Sequence, residues 1–237
     1  MNSKLMSKVR KLHRWLALIV GIQLLLWTAS GLYMTAMPLH MVHGKHLITP
    51  IEASSLDNSP ELFPIAKLLQ KQQQAVSIQL SKIAGDLVYV VKGKDHTSVY
   101  DAITGLPKAQ VSAEQAEKLA VSRYTGTGKV ASVVKIEEAV QAPEIGGRAT
   151  PIWQVNFDDW VNTSVYVSGS VEKVETVRSD IWRVFDFFWM LHIMDYSERE
   201  NFNNPLVIFM STLGCFIALS GLLLFVTGFN KSRRYLR

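Results

Sequence analysis

The chain has 237 residues, 48% of them hydrophobic and 19% charged, with a formal net charge of +5 and a pI near 9.3. A single cysteine, Cys215, excludes an intramolecular disulfide and covalent haem attachment through C-x-x-C-H, so any haem would rely on side-chain ligands alone. No interleaved basic and aromatic surface accompanies the basic balance, which sets nucleic-acid binding aside.

Residues 1–14 form a basic N-terminus that carries Lys4, Lys8, Arg10, Lys11 and Arg14 and no acid. Residues 15–37 follow without a single charge, long enough to cross a hydrocarbon layer that takes about 20 helical residues. A cleaved signal peptide would show the same basic flank. The apolar part exceeds a usual h-region and ends in no convincing small-x-small site, so an uncleaved anchor is the better reading.

At the entry of this span stands KLHRWLALIVG. On a helix, Trp27 and Gly31 return to nearly the same face as His13, a ligand, an aromatic and a gap on one stripe against which a flat porphyrin could lie. The other reading has His13 snorkelling among interfacial bases while Trp15 anchors the boundary. Beyond the span, MPLHMVHGKHL places His40, His43 and His46 at every third position. Pro38 and Gly44 interrupt a helix there, so the spacing defines no common face.

Residues 38–178 read as an α+β region built of two helix-then-strands units, about 61–109 and 112–178. A helical pattern from Glu61 (ELFPIAKLLQKQQQ) precedes SIQLS, DLVYVVKG and TSVYDAITG; a second, from Ser112 with Gln115 completing a capping box, precedes KVASVVKIEE, TPIWQVNFDD and NTSVYVSGS. TSVY recurs at 97–100 and 163–166, and the shared order of elements points to duplication. Catalytic chemistry is not evident: Asp158 and Asp159, adjacent on an expected strand, would point to opposite faces, and His96 lies beside an expected turn.

Residues 179–204 read as an interfacial aromatic helix and loop. If 180–196 is helical, Trp182, Phe185, Phe188, Trp189, His192 and Tyr196 fall in an arc of about 120° that presents one imidazole on an aromatic face; the alternative is a Trp/Tyr belt with an incidental histidine. The second span, 205–229, carries Gly214, Gly221 and Gly228 at sevens, with Ser211 and Ala218 near the stripe, and the first has Ala17 and Gly21; all favour close helix packing over a cofactor slot. The tail 230–237 adds Lys231, Arg233, Arg234 and Arg237. With bases collected outside the spans and the central segment net acidic, both termini are expected in the cytoplasm and the middle outside.

KLHRW, GIQLLLWTASGLYM, GKHL, WMLHIMDY, NFNNPL and SGLLLFVTGF resemble the PepSY-associated transmembrane helix family, and the central region resembles PepSY domains. The likeness runs over nearly the whole chain. It implies a bacterial inner-membrane protein whose two transmembrane helices flank a periplasmic, duplicated PepSY-like α+β domain, related to membrane siderophore-iron reductases that bind b-type haem. Carried over motif by motif, His13, His46 and His192 are the implied haem-iron ligands, with His13 across the membrane from the other two. The expected function is an electron-transfer subunit passing electrons to a periplasmic flavoprotein or ferric chelate. With only two spans, a homodimer or partner membrane subunit would complete it. The alternative is a membrane-anchored binding or regulatory module without redox activity.

Overall fold

The computed structural model describes residues 3–50, 61–72, 74–83, 85–93 and 97–235; His96 and Arg237 lie outside them. The described chain is α+β and divides into two compact units, residues 39–183 and residues 1–38 with 184–237.

The first of these units opens with α2 (Leu39–Val42), a 3-10 turn at Lys45–Leu47, and α3 (Ile65–Lys71). The helix expected from Glu61 begins only at Ile65, because Pro64 holds an extended conformation and serves as its N-cap, and it stops at Lys71 before the glutamine run. Strands β1 (Ser77–Ile83), β2 (Asp86–Lys92) and β3 (Thr97–Asp101) form an antiparallel sheet in that order. Period-two alternation decides its faces. Tyr89 and Val91 turn toward Leu68 of α3, while Val88, Val90 and Val99 turn away and pack with Val171.

A second antiparallel sheet comes after α4 (Ala113–Arg123): β4 (Val130–Ile136), β5 (Ile152–Phe157), β6 (Ser164–Ser168) and β7 (Val174–Arg178), in that order. The expected capping box is present, with the Ser112 hydroxyl accepting from the Gln115 amide and Gln115 Oε1 accepting from the Ser112 amide. Ala116 and Ala120 of α4 pack flat on Val155, Val165 and Val167; small helix residues allow that close approach. Strand β7 is not among the strands expected from the residue pattern.

Apart from Thr163, which precedes β6, the two TSVY segments do fall on the third strand of each sheet, but with opposite sense. Tyr100 faces α3 and Val99 faces away, whereas Val165 faces α4 and Tyr166 faces away with Ile145 and Ile152. Shifting by one residue exchanges the faces of a strand, so these four residues are not structural equivalents. Asp158 and Asp159 also differ from expectation. They lie past the end of β5, where Asp158 accepts from the Lys129 amide and Asp159 from Thr163 and the Tyr124 hydroxyl.

An ion-pair network closes the unit. Arg183, in the first turn of α5 (Asp180–Ile193), forms a forked pair with Glu144 at 2.7 and 3.1 Å and also reaches Asp180; Tyr166 donates to the same carboxylate.

The other unit consists of α1 (Ser3–Ala36), α5 from Val184, and α6 (Pro205–Tyr235). Arg10–Ala36 and Pro205–Val226 are each long and apolar enough to cross a membrane. Large apolar side chains such as Leu18, Ile22, Leu25, Phe209, Phe216 and Leu222 stand outward and exposed, which suits lipid and would be costly in water. These observations support membrane association. The helix α5 ends at Ile193, not at Tyr196: Met194 takes a positive φ of 54°, and Tyr196 is therefore off the helix.

Candidate functional site

The candidate site rests on two serine-glycine pairs, Ser30–Gly31 in α1 and Ser220–Gly221 in α6, each of which receives a histidine. His13 of α1 lies against α6. Its Nδ1 is 2.7 Å from Ser220 Oγ, and its Cε1 is 3.4 Å from where a Cβ on Gly221 would stand. His192, in the last turn of α5, lies against α1. Its Nδ1 is 3.1 Å from Ser30 Oγ, and its Cε1 is 3.2 Å from where a Cβ on Gly31 would stand. Glycine at each place admits the flat ring.

The serines also bear on the ring protons. Ser220 gives its hydroxyl proton to the Ile217 carbonyl at 2.9 Å, and Ser30 gives its own to the Trp27 carbonyl at 3.0 Å. Each hydroxyl has a single proton, so with that proton on the carbonyl the oxygen accepts from the imidazole. In that arrangement Nδ1 carries the N–H and Nε2 is the acceptor nitrogen. Neither Nε2 has a hydrogen-bond partner among the described residues.

Further contacts fix His192. The Trp27 indole donates to the His192 carbonyl at 2.6 Å, and the two rings stand 5.7 Å apart. One turn away, Tyr33 packs on Phe188 at 4.5 Å and reaches Phe185 at 6.4 Å. The expected aromatic arc is thus divided: Phe185, Phe188 and His192 meet α1, whereas Trp189 turns to the loop, where its indole donates to the Arg199 carbonyl and its ring meets Phe202 edge-on. The stripe of His13, Trp27 and Gly31 likewise offers no open slot along α1, since protein side chains occupy it at both ends. The glycine series is also uneven. Gly221 is met by His13, while Gly21 and Gly214 have nothing within 4 Å of a built Cβ.

The loop after α5 explains the DY and NFNNPL motifs as structural. Asp195 accepts from the backbone amides of Ser197, Glu198, Glu200 and Asn201 and from the Ser197 hydroxyl. These donors, the Asn201 amide foremost, hold its carboxyl far below the usual range. Asn204 caps α6 through the Val207 amide and donates to the carbonyls of Ile193 and Asn201.

His46 belongs to the unit of residues 39–183. Its imidazole is exposed; its carbonyl accepts from Thr125, while the neighbouring Leu47 enters the core. Gly44, with φ 66°, lies where a Cβ would come 2.9 Å from Val177. The structural demands behind GKHL are therefore met by Gly44 and Leu47. His40 and His43 are exposed; partial burial first, then Arg178 and Lys45, lower the pKa of His43. No group of three His, Cys, Asp or Glu side chains suited to a metal ion occurs among the described residues.

An axial histidine needs an unprotonated nitrogen and an acceptor that holds the other ring N–H. At His13 and His192 a serine hydroxyl stands beside Nδ1, where it can be that acceptor. They are separate sites: from His13 to Ser30 is 17 residues of α1, about 26 Å at the helical rise, so they cannot bind one iron together. The sequence signal for the pairs is the recurrence of Ser-Gly-Leu at 30–32 and 220–222. No family model, curated protein or solved structure matches the chain.

Proposed function

We propose that the protein is an inner-membrane electron-transfer subunit that binds b-type haem and passes electrons to a periplasmic acceptor, a flavoprotein or a ferric chelate. The supporting observation is the paired arrangement of His13 and His192, each with Nδ1 beside a serine hydroxyl and its ring in a glycine gap. Bound haem would supply one-electron exchange between ferric and ferrous iron. The chain's own residues hold the ligand rings: Ser220 and Ser30 fix the tautomer, Trp27 holds the end of α5, and the outward apolar side chains keep water away.

In this reading both termini are cytoplasmic, His13 serves the inner face, His192 the outer face, and the residues between form a periplasmic PepSY-like domain derived by duplication. Each site offers one imidazole, so a second copy or a partner membrane subunit provides the opposing ligand and encloses the macrocycle. His46 is the remaining motif-matched histidine and would serve as a ligand only through such an assembly.

The test is the dithionite-reduced minus oxidised spectrum of detergent-purified full-length protein produced with ample haem. Soret and α bands are expected, with His13→Ala and His192→Ala each removing a separate share of the α-band amplitude. A spectrum without haem bands, or one unchanged in the double variant, refutes the assignment and leaves the membrane-anchored binding module.

A further inference from the structure

We propose that the cleft between the two sheets of the 39–183 unit is a binding site for a small polyanion, a compact body carrying two or more carboxylate or phosphate groups. The cleft has a volume of about 600 Å³, the size of small-molecule sites. It exists because Val171, from the turn between β6 and β7, covers only part of the outer face of the first sheet. That residue closes over Val88, Val90 and Val99. The polar remainder of the same face, Gln79, Ser81, Lys92 and Thr97, stays open as one wall.

The charges around the cleft are unbalanced. Lys82, Lys92, Arg123 and Arg148 all line it, and none has a carboxylate partner among the described residues. Backbone carbonyls hold the two guanidinium groups instead: Arg123 donates to the Pro50 carbonyl, and Arg148 to those of Ile145 and Glu175. Such bonds orient a guanidinium without neutralising it, and its remaining N–H groups suit an oxyanion. Lys173 and Glu175 pair with each other at 3.8 Å, and Glu172 offsets only one of the four remaining cations. The lining therefore keeps an excess of positive charge beside a partly apolar wall of Val90 and Leu119, which favours a ligand with a flat or apolar body between its anionic groups.

Full-length protein in detergent is titrated calorimetrically with three probes: benzene-1,3,5-tricarboxylate, its neutral trimethyl ester, and pyrophosphate. Binding of one or both anions and none of the ester is expected, weakening as salt is raised. Which anion binds separates a carboxylate from a phosphate ligand. In the Lys92→Gln/Arg123→Gln variant the affinity falls at least tenfold while the melting temperature is unchanged. Should that variant unfold, Lys92→Glu alone, on an exposed strand position, carries the same expectation. No heat with either anion, equal binding of the ester, or full affinity in a folded charge variant overturns the proposal.

Discussion

A single serine hydroxyl stands beside the Nδ1 of His13 and another beside that of His192. In Ser220→Ala and Ser30→Ala the ring loses its Nδ1–H acceptor, and the tautomer is no longer fixed. Imidazole ¹⁵N shifts of the detergent-solubilised protein are expected to show an Nδ1–H tautomer for His13 and His192, and a mixed population at the affected ring in each variant. An unchanged spectrum would mean that the serines do not set the tautomer. Gly44 is the other position where one atom matters. Its left-handed φ and the 2.9 Å approach of Val177 make Gly44→Ala cost about 1–3 kcal/mol, read as a fall in denaturant midpoint.

At the level of elements, short connections carry as much order as the helices they join. Ionised Asp195 gathers the turn that leads from α5 to the cap of α6. Its folded pKa lies below the ordinary 3.8, so the loop is stabilised by the ionised form at every pH above that value, and the stabilisation is lost as pH falls through the lower folded value. Amide exchange at Ser197, Glu200 and Asn201 is expected to be slow near neutrality. Asp195→Asn should accelerate it there and flatten the unit's loss of stability on acidification. An Asn variant with the exchange rates and acid sensitivity of the parent would contradict this. The tie between Tyr124 and Asp159 obeys the same logic. The phenol of Tyr124, desolvated and bonded to a carboxylate, is pushed up to about 12, and the carboxyl of Asp159 is lowered, with the Thr163 and Tyr124 hydroxyls overcoming desolvation.

For the molecule as a whole, the division at residues 38/39 and 183/184 has an energetic counterpart. The 39–183 unit has its own cores on both sheets and its own Glu144–Arg183 network. A fragment of residues 39–183 is expected to be soluble without detergent, to unfold cooperatively and to retain β-rich circular dichroism. Aggregation of that fragment under conditions where the full chain is monodisperse in detergent would show that the unit depends on its anchors.

What the sequence determined by itself were the properties that hydropathy and local chemistry encode: two apolar stretches of membrane length, an α+β segment between them, most of the strands, and the Ser112–Gln115 cap. Each depends on neighbours a few residues away. The faces of the strands were less legible. TSVY appears twice, yet whether Tyr or Val meets a helix depends on pairing register with strands that lie elsewhere in the chain. Strand β7 is short and half polar, and its place is set by pairing with β6. The end of α5 was not legible either, because the left-handed turn at Met194 is held by the Asp195 loop and by Asn204, which donates back to the Ile193 carbonyl. Tertiary structure alone decided the candidate sites. His13 and His192 were visible as residues, but their serine and glycine partners lie 207 and 162 positions away for the hydrogen bonds, and only helix packing brings a ring, an acceptor and a missing Cβ to one place.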